Sequence, residues 1–136
     1  MKKFKDKLEK LNLSFNSLNE MAQFSFSFDS SIDKMEEAIR DSIIKKFEYT
    51  FELSWKTIKA YLESEGYEEF ASPKRVLKQA FEIGLLKNEE LWANMLEARN
   101  SMAHTYDEEK AIYYCDVIKK EYILELSNLI SELYNK

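Results

Sequence analysis

The sequence contains few of the residues that end regular structure or bind metal ions. Its 136 residues include 2 Gly and 1 Pro, whereas average usage would supply about 12% of the two together. An all-β protein needs such residues at many turns, so their scarcity argues against a sheet. One Cys excludes an intrachain disulfide, and one Cys and one His do not complete a structural zinc site of about four ligands. We therefore predict no metal ion or other cofactor.

Long apolar runs and an excess of positive charge are also absent. The longest apolar run, Ala111 to Cys115, is far shorter than the roughly 20 residues of a membrane-spanning helix. The basic start of the chain, Met1 to Lys7, is not followed by the apolar core of a signal peptide. Because the net charge is −5, any contact with nucleic-acid phosphates has to be local. We expect a cytoplasmic protein that does not contact a membrane.

Helical periodicity dominates what is present. Apolar residues recur every three or four positions, which is the spacing of one face of a helix that packs on other helices. The predicted helices cover residues 4–22, 32–64, 73–83 and 89–104, and a last one begins after Asp107. The third of these is short. The sequence therefore predicts an all-α protein with a single domain over residues 1–136, an antiparallel up-and-down four-helix bundle with an extra short helix.

The helix boundaries follow from a few residues. Gly66 and Gly84 are predicted to end the second and third helices, and Ser72 with Pro73 gives the third a hydroxyl cap and a proline in its first turn. The alternation of Phe and Ser over residues 24–28 could form a strand. Because no partner strand is evident, we interpret it as the end of the first helix followed by a loop.

A row of charges follows the second predicted helix beside its apolar stripe. The row has spacings of 3, 4, 4 and 3 and consists of Lys45, Glu48, Glu52, Lys56 and Lys59. The simplest interpretation is a solvated face with helical ion pairs, each worth a few tenths of a kcal/mol. Tyr49 and Leu53 add apolar surface outside the main stripe, which indicates a second partner helix, such as one from another subunit.

The only histidine lies in a cluster of polar residues at the end of the fourth predicted helix. His104 is accompanied by Arg99, Asn100 and Tyr106. An imidazole, with an ordinary pKa of about 6.5, can accept or donate a proton at neutral pH, and a guanidinium can neutralise a phosphate. These groups could cleave RNA without a metal ion. The alternative is structural, because cations at the end of a helix interact favourably with its dipole.

Helical geometry limits how these residues can cooperate. On a straight helix the side chains of Arg99 and His104 point about 140° apart, whereas Asn100 and His104 share a face. A joint Arg–His site therefore requires a distorted helix or contributions from two subunits.

The same residues resemble a known motif. Arg99-Asn100-x-x-x-His104-x-Tyr106 is similar to the arginine, four residues, histidine, one residue, tyrosine motif of HEPN domains. Three further blocks, residues 47–56, 72–77 with 80–81, and 92–96, resemble the nucleotidyltransferase substrate-binding branch of that superfamily. The four blocks occur in the expected order across nearly the whole chain.

This resemblance implies a helical bundle that forms homodimers and is encoded beside a small nucleotidyltransferase. In such pairs the HEPN protein is often a metal-independent ribonuclease toxin and the nucleotidyltransferase is its antitoxin. By position, Arg99 and His104 would be the catalytic pair, Asn100 a polar helper, and Tyr106 the acceptor of AMP that silences the toxin. The dimer would bring two motifs into one cleft.

The resemblance leaves a second function open. The branch is named for a subunit that holds a substrate or nucleotide for the nucleotidyltransferase and performs no chemistry. Glu48, Glu52 and Lys56 fall in a matching block, so they are candidates to line the dimer cleft or a partner surface. The complete motif favours the nuclease, and the net acidity favours the binding subunit, for which RNA binding is not required.

Overall fold

The computed structural model describes residues 2–23, 33–102 and 107–136, and the regular elements in these ranges are all helical. They are α1 (Lys2–Ala22), α2 (Asp33–Ser64), α3 (Pro73–Glu82), α4 (Glu89–Met102), α5 (Glu108–Val117) and α6 (Ile123–Tyr134), with a π-helical segment (Ile118–Tyr122) between α5 and α6. The all-α prediction is confirmed. The predicted loop at residues 24–28 lies outside the described residues. No helix in the described part of the chain is long and apolar enough to cross a membrane.

Local signals define α3 as the sequence predicts. The Ser72 hydroxyl accepts a hydrogen bond of 3.3 Å from the backbone N–H of Arg75, and Pro73 occupies the first helical position. Gly66 follows α2 with a φ of +95°, and Gly84 follows α3 with a φ of +80°. Glycine adopts this left-handed conformation without the steric cost of a Cβ, so both helices end where the chain can turn.

Polar contacts between α1 and α2 show that the two helices are antiparallel. Ser14 and Thr50 share a hydroxyl–hydroxyl hydrogen bond of 2.6 Å, and the ammonium of Lys46 donates to the hydroxyl of Ser17 over 2.6 Å. The partner's position in α2 falls as the position in α1 rises. The first two helices therefore form a hairpin.

The last helix runs in the same direction as α2. Arg40 and Glu108 form an ion pair of 3.5 Å, and farther along both helices the rings of Phe47 and Tyr122 stack with centroids 5.2 Å apart. Positions in the two helices rise together, so α5 and α6 are parallel to α2 and antiparallel to α1.

Two contacts fix the direction of α4. The rings of Phe51 and Trp92 lie 6.0 Å apart, whereas Ile44 and Met102 line one small pocket at the other end of α4. The order along α2 is reversed along α4, so these helices are antiparallel. The long helices thus alternate in direction, which confirms the up-and-down bundle, and α3 packs against α2 and α4 as the extra short helix.

Three hydroxyl side chains lie within the otherwise apolar core of α2. Thr50, Ser54 and Thr57 are fully buried. Thr50 bonds to Ser14 of α1, and the other two donate to backbone carbonyls three and four residues before them in α2. Because each hydroxyl has a partner, its burial carries little penalty.

The π-helical segment was not predicted, although its cause is visible in the sequence. The backbone N–H of Ile123 donates to the carbonyl of Ile118, five residues earlier. From Tyr114 to Leu126 the apolar positions are spaced by four residues three times, and each step turns the side chain about 40° past a full turn of an α-helix. The wider π turn returns Tyr122 and the following apolar residues to the core.

Candidate functional site

An open groove of about 830 Å³ lies between α1, α2 and α4. Its walls combine cations, carboxylates, hydroxyls, an amide and an aromatic ring. The lining residues are Lys45, Lys46 and Arg99, Glu48 and Glu52, Ser14 and Ser17, Asn100, and Tyr49. This combination provides positive charge and hydrogen-bond donors beside an aromatic surface.

Glu52 is the centre of a hydrogen-bond network that joins α2 to α4. Its Oε2 accepts from Arg99 Nη2 over 2.5 Å and from Trp55 Nε1 over 3.1 Å. Its Oε1 lies 3.4 Å from Lys56 Nζ. Hydrogen bonds between charged groups are shorter and stronger than neutral ones. Glu52 therefore fixes the position of Arg99 at the groove wall.

Asn100 provides a second contact for the same guanidinium. Arg99 Nη1 donates to Asn100 Oδ1 over 3.0 Å, and about a third of the Arg99 side chain is exposed. A guanidinium carries five N–H groups, more than these two contacts use. Arg99 is thus both oriented by protein groups and accessible from the groove.

Glu48 carries a perturbed carboxyl in the same wall. Burial raises the pKa of Glu48, and the nearby charges of Lys45 and Arg99 offset part of this effect. Burial favours the uncharged form because it removes water from the carboxylate. The Glu48 carboxyl is therefore less readily ionised than a fully hydrated glutamate.

The α1 side of the groove contains a second cation. Lys46 is half-buried, and its ammonium donates to the hydroxyl of Ser17. Tyr49, one turn after Lys45 on α2, is 61% exposed. None of these residues was predicted as part of a site.

Four of the residues predicted as site residues meet in this groove: Arg99, Asn100, Glu48 and Glu52. Lys56 contacts Glu52 but does not line the groove. The predicted catalytic His104 and the predicted AMP acceptor Tyr106 lie outside the described residues, so their roles stay predictions.

Cys115 belongs to the core. It is 5% exposed, and burial raises the pKa of its thiol. Across residues 2–23, 33–102 and 107–136, no three His, Cys, Asp or Glu side chains are grouped so that they could hold a metal ion.

Comparison with known proteins gives consistent results for sequence and fold. Residues 6–135 match the protein family described as "Nucleotidyltransferase substrate binding protein like". The chain is 29% identical over 111 residues to "Probable ribonuclease HepT" of Haemophilus influenzae, which covers 78% of this chain and 75% of the relative.

Two solved structures share the fold along almost their entire length. A protein from Thermus thermophilus is 32% identical with a TM-score of 0.75, and the alignment covers 90% of this chain and 98% of that one. A Haemophilus influenzae protein, whose structure is described as revealing the fold of a substrate binding domain of a nucleotidyltransferase, is 26% identical with a TM-score of 0.73. That alignment covers 93% of this chain and 98% of the other.

The raised pKa of Glu48 predicts a stability that depends on pH. The ionised form of Glu48 is disfavoured in the folded protein. The Glu48 carboxyl therefore lowers the free energy of unfolding increasingly as the pH rises above the ordinary carboxyl pKa of about 4.3. We expect Glu48→Gln to raise the free energy of unfolding at pH 7 by up to about 0.5 kcal/mol, the usual range for surface changes, and to have no effect near pH 3.5. Thermal unfolding followed by circular dichroism measures the difference.

Glu9→Gln is the control, because Glu9 is exposed on α1. It should show no gain that appears only at neutral pH. A Glu48→Gln protein that is less stable than wild type at pH 7 would contradict the assignment, since the carboxylate would then be stabilising.

Proposed function

The chain belongs to the nucleotidyltransferase substrate-binding family of the HEPN superfamily, and we propose that it is a metal-independent ribonuclease of the toxin type. The observation that carries the proposal is the position of Arg99, which is held by Glu52 and Asn100 at the wall of a groove with further cations. The likeness to a protein named "Probable ribonuclease HepT" supports the same activity.

The proposed reaction uses the RNA's own 2′-hydroxyl as the nucleophile. Its oxygen forms a bond to the adjacent phosphorus while the bond from phosphorus to the 5′-oxygen breaks, which gives a 2′,3′-cyclic phosphate and a 5′-hydroxyl. One proton leaves the 2′-hydroxyl, and another is added to the departing 5′-oxygen. Negative charge increases on the non-bridging oxygens, and the planar guanidinium of Arg99 can bind two of them.

His104 supplies the proton transfers in this proposal, as the motif implies. The step needs a base and an acid together, and each chain has one histidine. A homodimer would bring two copies of His104 to one cleft, so that one accepts a proton while the other donates. Homodimer formation is therefore part of the proposed mechanism.

The proposed partner is a small nucleotidyltransferase encoded nearby, which would act as antitoxin in the cytoplasm. It would transfer AMP from ATP to the hydroxyl of Tyr106, with pyrophosphate as the leaving group. Tyr106 is two residues from His104, so the added phosphate would place negative charge beside the catalytic imidazole. Repulsion and bulk would then exclude the RNA phosphate.

A non-catalytic subunit that binds a substrate or nucleotide for the nucleotidyltransferase is the second candidate function. Two observations favour it: the net charge of −5, which does not attract RNA from a distance, and the solved relative described as a substrate binding domain. In that case the groove would hold a nucleotide without cleaving a bond.

Substitution of the two motif residues tests the nuclease proposal. We expect Arg99→Ala and His104→Ala each to lower the rate of RNA cleavage by at least about 10²-fold, because proton transfer and charge stabilisation contribute on that scale. Cleavage of a labelled RNA by the purified protein, with and without EDTA, provides the measurement.

Arg75→Ala is the matched control, because Arg75 is an exposed arginine on α3 and should leave cleavage unchanged. Circular dichroism should show the same helical content for all variants. If the His104→Ala protein cleaves RNA as fast as wild type, the nuclease proposal is wrong.

Modification of Tyr106 tests the antitoxin mechanism separately. After incubation with the partner nucleotidyltransferase and ATP, we expect mass spectrometry to find one or more AMP units on the peptide that contains Tyr106, together with loss of RNA cleavage. Tyr106→Phe should remain unmodified and active. An unmodified Tyr106 in the wild-type protein, with cleavage nevertheless silenced, would contradict AMP transfer at this residue.

A further inference from the structure

The groove extends from Arg99 to a group of side chains on α1 and α2 that the cleavage chemistry does not use. They are Ser17, Lys45, Lys46 and Tyr49, and we name them the α1–α2 subsite. We propose that the α1–α2 subsite binds one nucleotide unit, with its phosphate at Lys46 and Ser17 and its base against Tyr49. For an RNA ligand this proposal rests on the proposed function, because the unit would adjoin the phosphate at Arg99.

Lys46 and Ser17 form a pair suited to a phosphate oxygen. The ammonium of Lys46 donates to the Ser17 hydroxyl oxygen over 2.6 Å, so the hydroxyl's own hydrogen can be donated to another acceptor. The ammonium has three N–H groups, of which this contact uses one. The half-buried position of Lys46 reduces screening by water, which strengthens its attraction for an anion.

Tyr49 provides the surface for a base. Its side chain is 61% exposed although it lines the groove. Lys45 lies one turn before it and Glu52 one turn after it on the same face of α2. Bases of any sequence stack on aromatic rings, and a nearby cation that binds the backbone is the usual companion of such a ring in single-strand binding sites.

The local charge supports an anionic ligand in spite of the acidic chain. Three cations face two carboxylates in the groove. One carboxylate, Glu52, is already paired with Arg99 and Lys56. The groove is therefore more positive than the whole molecule, and its volume of about 830 Å³ is within the range of about 300–1,000 Å³ for small-ligand sites.

A nucleotide unit of this chemistry could come from single-stranded RNA or from a free nucleotide. The two sources share the phosphate and the base, but only RNA continues from the α1–α2 subsite to Arg99. Binding measurements with both ligands distinguish them without any need for cleavage.

The experiment measures binding of two probes to the purified full chain. The first is a labelled 2′-O-methyl oligoribonucleotide of about ten nucleotides, which lacks the nucleophilic hydroxyl and spans more than one unit. The second is ATP. We expect Lys46→Met and Tyr49→Ala each to weaken binding by about tenfold, and Tyr49→Phe to retain it because the ring remains. For the oligonucleotide, Lys46→Met should also reduce the slope of log K against log salt by about 0.7, the value for one phosphate contact on a single strand.

Lys87→Met and Tyr134→Ala are matched controls, because both residues are exposed and do not line the groove. They should leave both affinities unchanged. Ser17→Ala is a second test of the phosphate contact that retains the charge of Lys46, should Lys46→Met lower the helical content.

The outcomes separate this inference from the proposed nuclease activity. If the subsite variants bind the oligonucleotide more weakly than wild type, the α1–α2 subsite holds a unit of RNA. If they bind only ATP more weakly, the subsite holds a free nucleotide, which favours the binding-subunit function. Both binding results stand even if the wild-type protein does not cleave RNA, because neither measurement requires cleavage. The inference is overturned if neither probe binds the wild-type chain, or if the subsite and control variants bind both probes equally well.

Discussion

The packing of α2 between the other helices is the constraint on which both the fold and the groove depend. One face of α2 buries Phe47, Phe51 and Ile58 completely, and this helix contacts α1, α3, α4 and α5. Burying each such side chain contributes about 1.5–3 kcal/mol, so the rotation of α2 about its axis is strongly determined. Once that rotation is fixed, Glu52 faces α4 and Lys46 faces α1, and the two sides of the groove follow.

The Glu52–Arg99 contact has more effect on orientation than on stability. Both side chains are about 30% exposed, and ion pairs in contact with water contribute about 1 kcal/mol or less. A free arginine side chain, however, has about 2 kcal/mol of rotamer entropy, part of which must be lost when it binds a phosphate. Contacts to Glu52 and Asn100 remove part of that freedom beforehand, which would favour phosphate binding by Arg99 in the proposed nuclease. The Glu52 carboxylate also competes with a phosphate for Arg99, because it is an anion bound to the guanidinium that a phosphate would contact.

Much of the fold could be predicted from local features, whereas much of the site could not. The apolar spacing of α2 and the Ser72-Pro73 signal of α3 involve residues close together in the chain, so both helices can be predicted from a single sequence. The spacing of the charged residues on α2 predicts that they form a row. It does not single out Glu52, because the contact of Glu52 with Arg99 joins residues 47 positions apart. The contact of Lys46 with Ser17 spans 29 residues and depends on how α1 and α2 pair. The four-residue apolar spacing around Tyr122 is visible in the sequence, but the π turn that brings Tyr122 back to the core depends on packing against the other helices.

In the proposed nuclease Glu52 prepares Arg99 for phosphate chemistry, and a double-mutant cycle tests this role most directly. The rate of RNA cleavage would be measured for wild type, Glu52→Gln, Arg99→Lys and the double variant, with thermal unfolding as a check on structure. If Glu52 acts through Arg99, Glu52→Gln cleaves RNA more slowly than wild type, and the double variant is no slower than Arg99→Lys alone, since lysine cannot reproduce the two-point contact. A wild-type rate for Glu52→Gln, or effects of the two substitutions that multiply independently, would contradict the account.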